Sequence, residues 1–81
     1  MPTVLTIDGF RVSIYLNDHA PAHVHVFKNG GEAKIVLGID GTLPTLFLVS
    51  GGMSNQEAKQ ARDIVSVHNS ALLEKWKEYH S

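Results

Sequence analysis

The stretch Thr3-Val4-Leu5-Thr6-Ile7-Asp8-Gly9-Phe10-Arg11-Val12-Ser13-Ile14-Tyr15-Leu16 decides the fold class. Two alternating runs flank Asp8-Gly9, and Asp-Gly is a two-residue hairpin signal because glycine takes positive φ without steric penalty. A two-residue loop pairs Ile7 with Phe10, Leu5 with Val12 and Thr3 with Ile14. Those residues form one nearly all-apolar face, and Val4, Thr6, Arg11, Ser13 and Tyr15 form the other. Both strands choose the same inner side, so the register is self-consistent.

Working outward, Asn17 to Ala22 is a connection, because Pro21 removes an amide donor and pushes Ala20 toward extended geometry. His23 to Lys28 reads as a third strand, Asn29-Gly30-Gly31 as a turn and Glu32 to Leu37 as a fourth strand. Setting Lys28 opposite Glu32 places His25 against Ile35 and His23 against Leu37. The expected inner face is then His23, His25, Phe27, Ala33, Ile35 and Leu37, with Val24, Val26, Lys28, Glu32, Lys34 and Val36 outside. Leu43 to Val49 is a fifth strand whose Pro44 confines its start to an edge or bulge.

Ser54 followed three residues later by Glu57 is a capping box, so a helix starts near Asn55. Ala58, Ala61, Val65, His68, Leu72, Trp76 and Tyr79 then fall within roughly 80° of arc, a narrow core-facing stripe. A break near Asn69-Ser70 would divide the segment in two. The expected architecture is one domain over residues 1–81. It is α+β: an antiparallel meander of four to five strands with one face covered by a C-terminal helix or helix pair.

Composition narrows the function classes. A chain of 81 residues with 43% hydrophobic content suits one small folded domain. The absence of Cys excludes a disulfide scaffold, a thiolate zinc site and a Cys nucleophile. A formal net charge of -1 argues against a generally basic nucleic-acid binder, leaving room only for a local patch. No apolar run approaches the roughly 20 residues that span a bilayer. The opening Met1-Pro2-Thr3-Val4 lacks the basic start and apolar run of a signal peptide. A cytoplasmic protein with no membrane association is expected.

Five His in so short a chain is the compositional oddity. They concentrate in Asn17-Asp18-His19-Ala20-Pro21-Ala22-His23-Val24-His25-Val26. His23 and His25 are two apart on a strand, so their rings point the same way about 7 Å apart. His19 enters from the preceding loop, and His68 lies on the helix stripe. Three readings stay open. The imidazoles can form a hydrogen-bonded structural network, with Asp18 orienting one ring. They can act as acid and base, with His19, His23, His25 and Asp18 as candidate catalytic residues. Or His19, His23 and His25, with Asp18 or Glu57 nearby, can hold a divalent metal. No cofactor beyond that is expected.

Asp18-His19-Ala20-Pro21-Ala22-His23-Val24-His25-Val26 resembles the signature of the small bacterial family called domain of unknown function 4160. Met1-Pro2-Thr3-Val4-Leu5 with Gly9-Phe10-Arg11, then Gly31-Glu32-Ala33-Lys34, and a helix ending around Leu73-Glu74-Lys75-Trp76 extend the resemblance over the whole chain. Members usually carry two prolines between the first two histidines, whereas here Pro21 is followed by Ala22. The resemblance implies the toxin component of a toxin–antitoxin pair, with a small antitoxin-like partner encoded nearby. It carries over no catalytic residue.

Arg11, Tyr15, Lys28 and Lys34 are candidate nucleic-acid contacts, three cations and an aromatic that can hold single-stranded RNA by phosphate contact and stacking. In a ribonuclease, His23 or His25 would serve as acid or base and Arg11 or Lys34 would steady the phosphate charge. The register above sets imidazoles and cations on opposite faces, so they meet only at a sheet edge unless that register is off by one. Gly51-Gly52 before Ser54 resembles an anion nest but lacks the lysine of a phosphate-binding loop, and a strand end followed by a helix cap explains it. Ile64, Val67 and Leu73 lie off the helix stripe. With the outward valines they suggest burial against a partner protein or a second copy.

Overall fold

A computed structural model describes residues 3–80. Met1 and Pro2, quoted in the resemblance above, lie outside them. The chain runs β1 (Thr3–Ile7), β2 (Phe10–Ser13), β3 (His23–Lys28), β4 (Gly31–Val36), β5 (Thr45–Ser50), α1 (Asn55–Val67) and α2 (Asn69–Tyr79). The five strands form one antiparallel sheet in the order β1-β2-β3-β4-β5. This is the expected α+β meander with two helices after it.

The first hairpin closes as the sequence predicts. Asp8 and Gly9 take φ of 52° and 80°, and Ile7 pairs with Phe10 and Leu5 with Val12. Beyond Leu5 the register shifts, so Thr3 meets Ser13 rather than Ile14.

The second hairpin differs from expectation by one residue. Its turn has two residues, not three: Asn29 and Gly30 both take positive φ, 50° and 82°. This is the same primed-turn chemistry as at Asp8-Gly9. Gly31 therefore joins β4 opposite Lys28, and His25 pairs with Lys34 instead of Ile35. Steric contact makes Gly31 a strand residue that must be glycine, since a Cβ there would lie 2.7 Å from the Met53 Cβ.

The consequence is a reversal of faces on β3. Val24 and Val26, expected outside, are fully buried together with Val12, Ala33 and Ile35. The opposite face carries His23, His25 and Phe27 beside Glu32, Lys34 and Val36. Two branched aliphatics are worth roughly 1.5–3 kcal/mol each when buried, whereas imidazoles need polar partners. The core takes the valines.

The Ser54–Glu57 capping box is present in both directions at the start of α1. Ala58, Ala61 and Val65 of α1 and Leu72 and Trp76 of α2 are buried, with Tyr79 packed against the core. The helix breaks at His68, which ends α1 and precedes α2. His68 is half-buried and outside the histidine group. Asn69 anchors the second helix: its Oδ1 accepts from the Gly38 amide and its Nδ2 donates to the Gly38 carbonyl, both at 2.8 Å. His80, which sequence position alone would leave solvated, stacks on Trp76 with ring centroids 3.9 Å apart.

Candidate functional site

The site is built on the central strand β3, whose odd residues leave the core side. Across the sheet one row runs Ser13, His25, Lys34, Leu48, and the next runs Arg11, Phe27, Glu32, Ser50. The displaced register thus places the imidazoles and two of the cations on one face.

His23 and His25 are 5% and 8% exposed. Each has its Nδ1 engaged: His23 Nδ1–H donates to the Pro21 carbonyl at 2.9 Å, and His25 Nδ1 faces Glu32 Oε2 at 2.8 Å. Both Nε2 atoms turn toward one oxygen, Asp18 Oδ2, at 2.9 Å from His23 and 3.0 Å from His25. The His25 contact has hydrogen-bond geometry. The His23 contact is as short but off-axis, so this buried nitrogen has no hydrogen-bond partner. Tyr15 lies against the His25 ring at 4.2 Å between centroids, and Trp76 against the His23 ring at 5.2 Å.

Proton counting defines what the cluster lacks. A carbonyl only accepts, so His23 Nδ1–H is the donor, and in a neutral ring its Nε2 presents a lone pair. A neutral His25 has one N–H, yet both its nitrogens face carboxylate oxygens. With neutral rings each histidine thus turns one lone pair toward a carboxylate oxygen, a contact that an added proton or a bound cation would relieve.

A pocket of about 310 Å³ adjoins the cluster, lined by Asp18, His19, Ala20, Pro21, His23, Lys34, Val36 and Phe47. The Lys34 ammonium lies 5.2 Å from the Phe47 ring centroid. Arg11 lies over Phe27 at 5.1 Å on the same face. Burial pushes the Tyr15 hydroxyl above its usual range, reinforced by the Glu32 and Asp18 charges and opposed by Arg11.

Of the residues singled out from sequence, Asp18, His23 and His25 come together. His19 does not join them; it is exposed on the pocket rim. Arg11, Tyr15 and Lys34 share the histidines' side of the sheet. Lys28 stands apart, with its ammonium 4.2 Å from the Phe10 ring centroid and its side chain lining a cleft with Gln60 and Asp63 of α1. Glu57 serves the α1 cap rather than the cluster. Glu32 was not singled out as a site residue. The two-residue reading of Asn29-Gly30 would have found it, because that register sets Glu32 beside His25.

The family model for a domain of unknown function (DUF4160) matches residues 9–77. The chain belongs to this family. The matched segment contains the whole Asp18-to-Glu32 cluster, both helices up to Lys77 and all strands except β1. No curated protein and no solved structure matches the chain. Membership of the family fixes kinship without fixing chemistry, so the functional reading rests on the site.

Proposed function

We propose that this chain is the toxin-type half of a two-protein pair and that it engages RNA on the open face of its sheet. The observation that carries the reading is the β3–β4 register. It sets the Asp18, His23, His25 and Glu32 cluster on the same face as Arg11 and Lys34. Lys34 suits a phosphate: it lines the pocket beside Asp18 and His23 and has no carboxylate partner among the described residues. Tyr15, Phe27 and Phe47 offer ring surfaces on which unpaired bases stack. The buried cluster supplies the reactive groups, and exposed His19 on the pocket rim can exchange protons with solvent.

A protein partner is supported by a separate feature. Leu46, Phe47 and Leu48 on edge strand β5 are 36%, 65% and 56% exposed, and Ile39 and Leu43 before them are 56% and 77% exposed. An apolar edge strand of this kind is a template for strand pairing with another chain. Val24 and Val26, offered above for that role, are in the core instead.

Induced expression with and without the neighbouring gene product, scoring growth and RNA integrity, tests the proposal. Growth arrest with RNA cleavage is expected, relieved by the partner. Lys34→Ala, at a half-buried position outside the core, weakens the effect at least tenfold with the fold retained. Unimpaired growth with intact RNA at high expression would overturn the reading.

A further inference from the structure

We propose that Asp18, His23 and His25 bind one divalent first-row transition metal ion, through Asp18 Oδ2 and the Nε2 atoms of both histidines. The inference deepens the reading of this cluster as the working centre. It assigns the relieving cation as a metal ion rather than as an added proton.

Three observations carry it. The donor atoms of these three residues all lie within 4.8 Å of one another, with Oδ2 at 2.9 and 3.0 Å from the two ring nitrogens. Donors around a tetrahedral zinc with bonds of about 2.0–2.1 Å stand about 3.3 Å apart, so small side-chain rotations admit an ion. Second, the outer contacts are those of metal-bound imidazoles. His23 Nδ1 meets a backbone carbonyl and His25 Nδ1 meets a carboxylate, and both arrangements leave Nε2 free to ligate. Third, His23 Nε2 is buried with no hydrogen-bond partner, although it belongs to a side chain only 6% exposed. Such a nitrogen is expensive in a finished structure and ordinary in an empty metal site.

The donor set selects the ion class. Two imidazoles and one carboxylate suit zinc, iron, cobalt or nickel, whereas magnesium and calcium prefer all-oxygen shells. Three protein ligands leave a coordination position for water or substrate. Asp18 and His23 both line the pocket that also holds Lys34, so a phosphate oxygen and the ion would meet there. Metal-bound water is a nucleophile at neutral pH, which is the chemistry a phosphodiester needs. His19, with its ring on the rim, is outside the ligand set.

The test uses the full chain without a histidine tag, stripped with a chelator and titrated with Co²⁺ by visible absorption and Zn²⁺ by calorimetry. The expected result is one equivalent bound, with intense cobalt d–d bands of low-coordinate geometry. Asp18→Asn and His23→Ala weaken Zn²⁺ binding at least a hundredfold, Glu32→Gln weakens it ten- to a hundredfold, and His19→Ala leaves it within twofold. Should His23→Ala fail to fold, Asp18→Asn and Glu32→Gln decide alone. Absence of stoichiometric binding, or binding lost in His19→Ala and kept in Asp18→Asn, overturns the proposal. The RNA reading fails separately. Metal bound at the cluster with RNA left intact removes the RNA activity alone, and RNA cleavage by a chain that binds no stoichiometric metal removes the metal alone.

Discussion

Substituting Gly31 by alanine tests the register on which the site depends. Gly31 has no positive φ, so alanine brings no backbone strain there. Its Cβ, however, would stand 2.7 Å from Met53 Cβ and 2.9 Å from both the Cα and amide nitrogen of Met53. Two of those atoms are backbone and cannot rotate away, so the segment before α1 must shift. Overpacking of this kind costs about 1–3 kcal/mol. In a domain of this size that lowers Tm by roughly 4–8 °C per kcal/mol, so a loss of about 10 °C is expected by thermal unfolding followed by circular dichroism. Gly30→Ala is the matched control. It meets nothing within 4 Å but sits at φ 82°, where alanine costs about 1–2 kcal/mol and asparagine much less. In a three-residue turn Gly31 would lie in the loop, away from the core. A Gly31→Ala protein as stable as wild type would therefore refute the two-residue turn, and with it the placement of both imidazoles outside the core.

Asn69→Ala removes both bonds to Gly38 and leaves a half-shielded amide unpaired, so a loss of about 1–3 kcal/mol in urea unfolding is expected. Ser54→Ala removes the α1 cap acceptor and lowers stability by about 1 kcal/mol in the same assay. The Glu57 carboxylate accepts the Ser54 amide, which holds its pKa below the ordinary carboxylate value. A lowered folded pKa means the stabilisation is complete above the unfolded value and lost as pH falls through the folded one. The stability gap between wild type and Glu57→Gln, followed by acid titration, is expected to be widest near neutrality and to close at low pH.

What could be read from the chain follows the length of the periodic signals. The β1–β2 hairpin is legible because Asp8-Gly9 sits between two runs whose inner-facing positions are nearly all apolar. The helical stripe was legible because Ala58, Ala61, Val65, Leu72 and Trp76 keep one period across the break at His68. Strand β3 resisted for a physical reason: His23-Val24-His25-Val26-Phe27 offers apolar residues at both parities, so the pattern alone does not choose a face. The turn chooses it. Asn29-Gly30 satisfies the primed two-residue rule, and treating Gly31 as a third turn residue inverted the strand. The site inherited that inversion. A three-residue turn sets Glu32 on the opposite face from His25, and sequence proximity groups His19 with a cluster that its loop does not bring it to. The partner of His23 Nε2, or its lack of one, is a matter of side-chain angle that no spacing encodes.

Asp18→Asn separates the two cations that can hold the cluster together. If a metal is the natural occupant, the stripped protein keeps three acceptors, Asp18 Oδ2 and two Nε2 lone pairs, crowded within 4.8 Å. Asparagine can turn its amide N–H toward those lone pairs, converting mutual repulsion into hydrogen bonds at nearly constant shape. The metal-free variant should then unfold at a temperature no lower than metal-free wild type. Only wild type should gain on adding Zn²⁺, by about 2.7 kcal/mol at a hundredfold excess over Kd. Loss of a metal ligand with no loss of apo stability is the stability–function trade expected where a structure holds groups in place for chemistry. If instead two imidazolium rings clasp the Asp18 carboxylate, removing its charge breaks a partly buried ion pair. The apo variant would then be markedly less stable, and Zn²⁺ would shift neither protein. Thermal unfolding of four samples, wild type and Asp18→Asn each with and without Zn²⁺, tells the two apart.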